Sequence, residues 1–124
     1  MIKGIGVDIL EIERFRRSAE QFGSRLLNRI FTTEEIEYCS RKFNVYQHYA
    51  ARFAAKEAFS KALSTGLRGT FGWKDIEVVN DALGRPGFRL HGALPGLLHP
   101  ASLFLSLSHS QSHVVAMVVF EEGE

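Results

Sequence analysis

Residues 46–65 read Tyr46-Gln47-His48-Tyr49-Ala50-Ala51-Arg52-Phe53-Ala54-Ala55-Lys56-Glu57-Ala58-Phe59-Ser60-Lys61-Ala62-Leu63-Ser64-Thr65, and Gly66 follows. This is a long helix with glycine at its C-terminal stop. Alanines lie on most of its sides, so it is expected to be buried and closely approached by its neighbours. Its charges fall in two rows. Arg52 and Lys56 form one at i,i+4, and Glu57 and Lys61 form another, about 100° round the axis for a ~3.6-residue period. As a surface ion pair, Glu57 and Lys61 would stabilise the helix by roughly 0.2–0.5 kcal/mol. The flanking Phe53, Ala54 and Ala58 read as buried, however, and a carboxylate at the edge of a buried face needs a partner or a metal.

Working outward, the chain opens Ile2-Lys3-Gly4-Ile5-Gly6-Val7-Asp8-Ile9. Ile5, Val7 and Ile9 fall on one face of a strand, with Gly4, Gly6 and Asp8 on the other. A face of glycines ending in an acid suits close approach of another backbone or a ligand. Glu11 to Phe22 reads as a helix stopped by Gly23, and Thr32 with Glu35 forms a capping box for a helix through about Arg41. Beyond the central helix, Thr65 to Gly72 is glycine-rich but lacks the Gly-Lys-Ser/Thr ending of a phosphate loop. Asp75 to Val79 and Phe88 to His91 read as a hairpin joined by turn residues Asn80 to Gly87. A short turn or helix around Leu94 to His99 follows. Leu103, Leu105 and Leu107 alternate as in a half-buried strand, and Val114 to Phe120 is an apolar run expected inside the sheet. The order β-α-α-α-β-β-β-β predicts an α+β fold, a mainly antiparallel sheet packed against the long central helix.

Length and composition bound the rest. A chain of 124 residues suits a single domain over 1–124. With 45% apolar and 23% charged residues it is of globular type. A formal charge of +1 argues against a nucleic-acid partner. The first 62 residues carry 11 basic and 8 acidic side chains and the remainder 4 and 6, which leaves open a local basic face for an acidic partner. Cys39 is the single cysteine, so neither a disulfide framework nor a multi-cysteine zinc site is available. No apolar run approaches the ~20 residues of a membrane span, and Asp8 breaks any signal-peptide pattern. A reduced, cytoplasmic domain is expected.

His109 and His113 are four apart, but at a turn between strands rather than on a helix, which argues against zinc. Ser106, Ser108, His109 and Ser110 form a polar strand end that either donates to phosphate or is a solvated tip. Cys39 reads as a small apolar side chain. No serine sits in a nucleophile-elbow sequence. Asp8 and Glu57 are the two acids in the least acid-friendly surroundings. If the helix crosses the sheet, both can point into one cleft. Two hard oxygen ligands without Cys or His suit Mg²⁺, and Lys61 would supply a cation for phosphate.

Taken together, Gly4-Ile5-Gly6-Val7-Asp8-Ile9 leading to Glu13-Arg14-Phe15, Phe53-Ala54-Ala55-Lys56-Glu57-Ala58-Phe59-Ser60-Lys61-Ala62, Trp73-Lys74-Asp75-Ile76-Glu77-Val78 and Leu105-Ser106-Leu107-Ser108-His109-Ser110 resemble the holo-acyl-carrier-protein synthases, the small class of 4′-phosphopantetheinyl transferases. The resemblance covers essentially the whole chain. It implies transfer of the phosphopantetheine arm of coenzyme A to a serine of apo acyl carrier protein, for fatty acid biosynthesis, with Mg²⁺ as cofactor. Asp8 and Glu57 would be the metal ligands and, with Lys61, the catalytic set. Arg52, Lys61, Asn80, Arg85, Pro86 and His109 would bind coenzyme A, and Arg14 would meet the carrier protein. The class also implies a homotrimer with active sites at subunit interfaces. Two departures stand out. Leu10 lies where larger relatives carry a second acid, so water would complete the metal shell. Ser64 and the Thr70-Phe71-Gly72 stretch depart from the usual phosphate-loop pattern. A metal-dependent nucleotide pyrophosphate hydrolase and a non-catalytic module for an acidic partner, built on Arg14, Arg16, Arg17, Arg25 and Arg29, are the competing readings.

Overall fold

The computed structural model describes residues 1–63, 71–98 and 101–123. Strand β1 (Ile2–Glu11) runs directly into helix α1 (Ile12–Phe22). Helices α2 (Ser24–Ile30), α3 (Thr33–Ser40) and α4 (Val45–Ala62) follow, then a 3₁₀ turn (Trp73–Asp75), β2 (Ile76–Asn80), β3 (Pro86–Leu90), the short α5 (Leu94–Leu97), β4 (Ala101–His109) and β5 (His113–Glu122). The expected stop at Gly66, Ser64 with most of the glycine-rich loop, and His99 lie outside the described residues. Among the described residues no helix is long and apolar enough to cross a membrane.

All strand pairs are antiparallel, but they form two sheets, β1-β5-β4 and β2-β3. The apolar β5 is the central strand of the first, as its sequence predicts. The Val78 N–H donates to Glu35 Oε2 at 2.9 Å, so a carboxylate from α3 takes up a backbone donor of β2.

The glycine face of β1 does what its lack of side chains suggests. A Cβ on Gly4 would stand 1.8 Å from the Ala62 carbonyl oxygen, and one on Gly6 1.9 Å from that of Ala58. The strand therefore lies directly on α4, backbone against backbone, and Ala54, Ala55, Ala58 and Ala62 are buried with Val114, Ala116 and Val118 of β5. One consequence is that Ile5, Val7 and Ile9 point away from the core.

The predicted capping box is present. Thr32 Oγ1 accepts from Glu35 N at 3.2 Å, and Glu35 Oε1 accepts from Thr32 N at 3.0 Å. Helix α2 is not foreseen in the sequence; it restarts the helix after Gly23 turns the chain with φ 64°, a left-handed value that favours glycine. Nor does the sequence reveal the partner of Lys56. That ammonium is fully buried and donates to Glu35 Oε1 (2.7 Å), the Ile30 carbonyl (2.9 Å) and the Trp73 carbonyl (3.0 Å). Its three protons are all used, which is the condition for tolerating a buried charge. Cys39 is also fully buried. Burial pushes its thiol up to about 12, so it packs as the small apolar residue expected.

Glu77 extends this polar seam. It accepts from Thr32 Oγ1 at 2.6 Å and bonds His91 Nε2 at 3.0 Å. Burial opposes its charge, but these bonds and the nearby His91 and Arg89 outweigh it and hold the carboxyl below the usual range. A lowered folded-state pKa stabilises the fold above the unfolded pKa, and that stabilisation is lost as pH falls through the folded value. Stability should therefore drop as pH is lowered beneath the ordinary carboxylate value of 4.5. Glu77→Gln should flatten this acid limb in urea melts taken across pH. An unchanged limb would remove Glu77 from the linkage.

Candidate active site

Asp8 reaches the α4 side of the sheet because it shares the inward face of β1 with Gly4 and Gly6. Lys61, four residues after Glu57 on α4, extends across β1 to donate to Asp8 Oδ1 at 3.0 Å and to the Val7 carbonyl at 3.1 Å. Its ion pair is thus with Asp8 across the strand rather than with Glu57 one turn back. The Asp8 side chain is 18% exposed and that of Lys61 53%, so the pair is open to solvent on the lysine side. Glu57 is half-buried beside them. Burial first, and next the Asp8 carboxylate, push its carboxyl above the usual range, with Lys61 opposing.

Asp8 and Glu57 share a cleft of about 470 Å³ with Arg14, Ser18, Phe53 and the α2 residues Leu26 and Ile30. Its floor is apolar and its rim carries two acids and an exposed arginine. Ser18, Leu26 and Ile30 are new to the site. Leu26 and Ile30 belong to α2, which was not recognisable in the sequence, whereas Ser18 lies on the expected α1. The other basic residues of this side divide. Arg16 is bound by Glu13 and Glu20, and Arg17 lies 3.8 Å from Glu11. Among the described residues Arg14, Arg25 and Arg29 have no carboxylate within ion-pair distance.

The remaining predicted residues form a second group. Asn80 and Pro86 pair at the turn end of the β2–β3 hairpin. Arg85, exposed, donates from Nε to Asp81 Oδ2 at 3.0 Å. Arg52 is 3% exposed and donates to Asn80 Oδ1 at 2.8 Å. His109 ends β4 and borders a shallow cavity with Ile9, Ser108, Ser110, His113 and Val115. Ser106 and Ser108 project from the outer face of the sheet, opposite Asp8. Ser110 Oγ is spent inside the β4–β5 turn, accepting from Ser112 N and His113 N. One chain therefore holds both acids and Arg14 in one cleft, with Lys61 bonded to Asp8 beside it, and does not bring the hairpin residues or the serine-rich strand end into it. Among the described residues no group of three or more His, Cys, Asp or Glu could hold a metal ion.

A family model described as the 4′-phosphopantetheinyl transferase superfamily matches residues 4–118. The holo-[acyl-carrier-protein] synthase of Geobacter sp. (strain M21) is 56% identical over 124 residues, covering 98% of this chain and 99% of its own. The crystal structure of the holo-[acyl-carrier-protein] synthase from Neisseria meningitidis superposes with a TM-score of 0.90 at 40% identity, covering 98% of this chain and 100% of that one. The Bacillus anthracis holo-(acyl-carrier-protein) synthase in complex with CoA (3′,5′-ADP) gives a TM-score of 0.81 at 36% identity, with 99% of each chain covered. With the match running through both acids, Lys61 and the strand that ends at His109, this chain belongs to the 4′-phosphopantetheinyl transferase superfamily.

Proposed function

We propose that the chain acts as a single domain over residues 1–124 and transfers 4′-phosphopantetheine from coenzyme A to a serine of apo acyl carrier protein. Holo acyl carrier protein for fatty acid biosynthesis and adenosine 3′,5′-bisphosphate are the products. The serine oxygen bonds to the phosphorus next to pantetheine, and the pyrophosphate P–O bond breaks. The carrying observation is a cleft that holds both carboxylates and Arg14, with Lys61 bonded to Asp8 beside it.

Asp8 and Glu57 would hold Mg²⁺. Both offer hard oxygens without thiolate or imidazole, and two acids close enough to raise the Glu57 carboxyl suit a divalent cation. Bound there, Mg²⁺ would neutralise charge on the pyrophosphate. Lys61 would place a point charge against the same phosphates, steered by its bond to Asp8. The serine proton would leave through water to Glu57 or Asp8. Asn80, Arg85, Pro86 and His109 would receive the nucleotide, with Arg52 behind Asn80.

An assembly follows from the same reading. Ile5, Val7, Ile9, Phe104 and Met117 are 60, 55, 64, 55 and 45% exposed on the outer sheet face, a patch that needs covering. Further copies in a homotrimer would cover it and bring the two groups of site residues together across subunits, in the cytoplasm where coenzyme A is at hand.

The test is the intact mass of apo acyl carrier protein incubated with this protein, coenzyme A and Mg²⁺. A gain of one phosphopantetheine, lost when EDTA replaces Mg²⁺, is expected. Consumption of coenzyme A without that gain would make the protein a hydrolase instead. The carrier surface has its own test. Arg14→Glu should raise the KM for carrier protein about tenfold and leave that for coenzyme A unchanged. An unchanged carrier KM would take Arg14 out of the interface.

A further inference from the structure

Arg52 is almost fully enclosed. Its guanidinium carbon lies 4.1 Å from the centre of the Tyr38 ring, and Nη2 donates to Asn80 Oδ1 at 2.8 Å. Its Nε is buried without a hydrogen-bond partner. A guanidinium can only donate. Asn80 must therefore turn its oxygen to Arg52, which commits its NH₂ to the other side, where Nδ2 donates to the Gly84 carbonyl at 3.1 Å. Gly84 sits at φ 84°, a conformation open to few residues but glycine, and the turn it closes carries Arg85 and Pro86. The Asp81 carboxylate secures the same turn from outside by accepting from Leu83 N and Arg85 N, each at 2.9 Å.

We propose that Arg52 is a positioning residue for the nucleotide end of coenzyme A, acting through the Asn80 amide and the Gly84 carbonyl to fix the β2–β3 turn. Arg52 is too enclosed to serve as a phosphate ligand itself, and its charge is used to choose the orientation of Asn80. The inference rests on the reading that Asn80 to Pro86 walls the coenzyme A site.

The test is steady-state kinetics on the full protein and on Arg52→Met, Asn80→Ala and the double variant, each checked for folding by circular dichroism. Either single change should raise the KM for coenzyme A about tenfold, with kcat and the KM for carrier protein within about threefold, and the double variant should be no worse than the single ones. Simple destabilisation would lower the active fraction, and so kcat, without moving KM. Effects that multiply to about a hundredfold in the double variant would mean that Arg52 meets the ligand independently, and would overturn the relay. A raised KM in Asn80→Ala beside an unchanged one in Arg52→Met would do the same. An unchanged KM in Asn80→Ala would instead remove the wall reading, and the relay with it. If Arg52→Met does not fold, Arg52→Lys, which loses the planar fork, takes its place in the cycle.

Discussion

Replacing Gly6 with alanine should cost about 3 kcal/mol or more of stability and lower the melting temperature by about 10 °C or more. The new Cβ would meet Ala58 O at 1.9 Å and Ala62 N at 2.7 Å. Both are backbone atoms of α4, so no side chain can swing aside. Either β1 lifts from the helix or α4 shifts against β5, and both moves open the core that Ala54, Ala58, Val114 and Ala116 close. Gly87 of β3 is the control, because a Cβ there meets nothing within 4 Å. Gly87→Ala should melt within a few degrees of the parent. A Gly6→Ala protein that melts like the control would show that β1 does not bear on α4 as described.

The same contact explains why much of the fold was legible. A strand with glycine on alternate positions and an alanine-rich helix are complementary surfaces, and each announces itself in a single sequence. The capping box at Thr32 was equally local. The features that stayed hidden depend on partners far along the chain. The sequence places Lys56 only in a row with Arg52 and names no partner for either, since Glu35 is 21 residues from Lys56 and Asn80 is 28 from Arg52. Nothing in helical spacing distinguishes a buried paired lysine from an exposed one. Helix α2 is seven residues long, too short to show a periodicity of its own, and it carries Leu26 and Ile30 of the cleft. The bond from Val78 N to Glu35 is again a long-range contact.

For the site, Asp8 and Glu57 were recoverable because charge is costly in such apolar surroundings. The change of partner for Lys61 was not. Spacing on α4 pairs it with Glu57, and only the strand lying flat on the helix puts Asp8 closer. The close approach allowed by Gly4 and Gly6 thus also determines which carboxylate orients the lysine, so packing and chemistry share one cause.

Asp8→Ala should lower kcat by about a thousandfold or more while leaving the fold intact. The Asp8–Lys61 pair is half open to water, and exposed pairs contribute about 1 kcal/mol or less, so the melting temperature should move little. Chemistry would suffer in two ways. One of the two proposed oxygen ligands would be gone, and Lys61 would lose its bond to Asp8, keeping only the Val7 carbonyl. Glu57 would respond as well. The Asp8 charge is the second cause of its raised pKa, after burial, so its removal should bring the Glu57 carboxyl down toward the ordinary range. Carboxyl titration by NMR in parent and variant would detect that fall independently of turnover. Asp8→Asn separates the two contributions, since it keeps an acceptor for Lys61 but removes the charge. Activity in Asp8→Asn near that of Asp8→Ala would mean that the charge carries the effect. Recovery in Asp8→Asn would mean that steering of Lys61 does. Parent-like turnover in a well-folded Asp8→Ala protein would exclude Asp8 from the reaction.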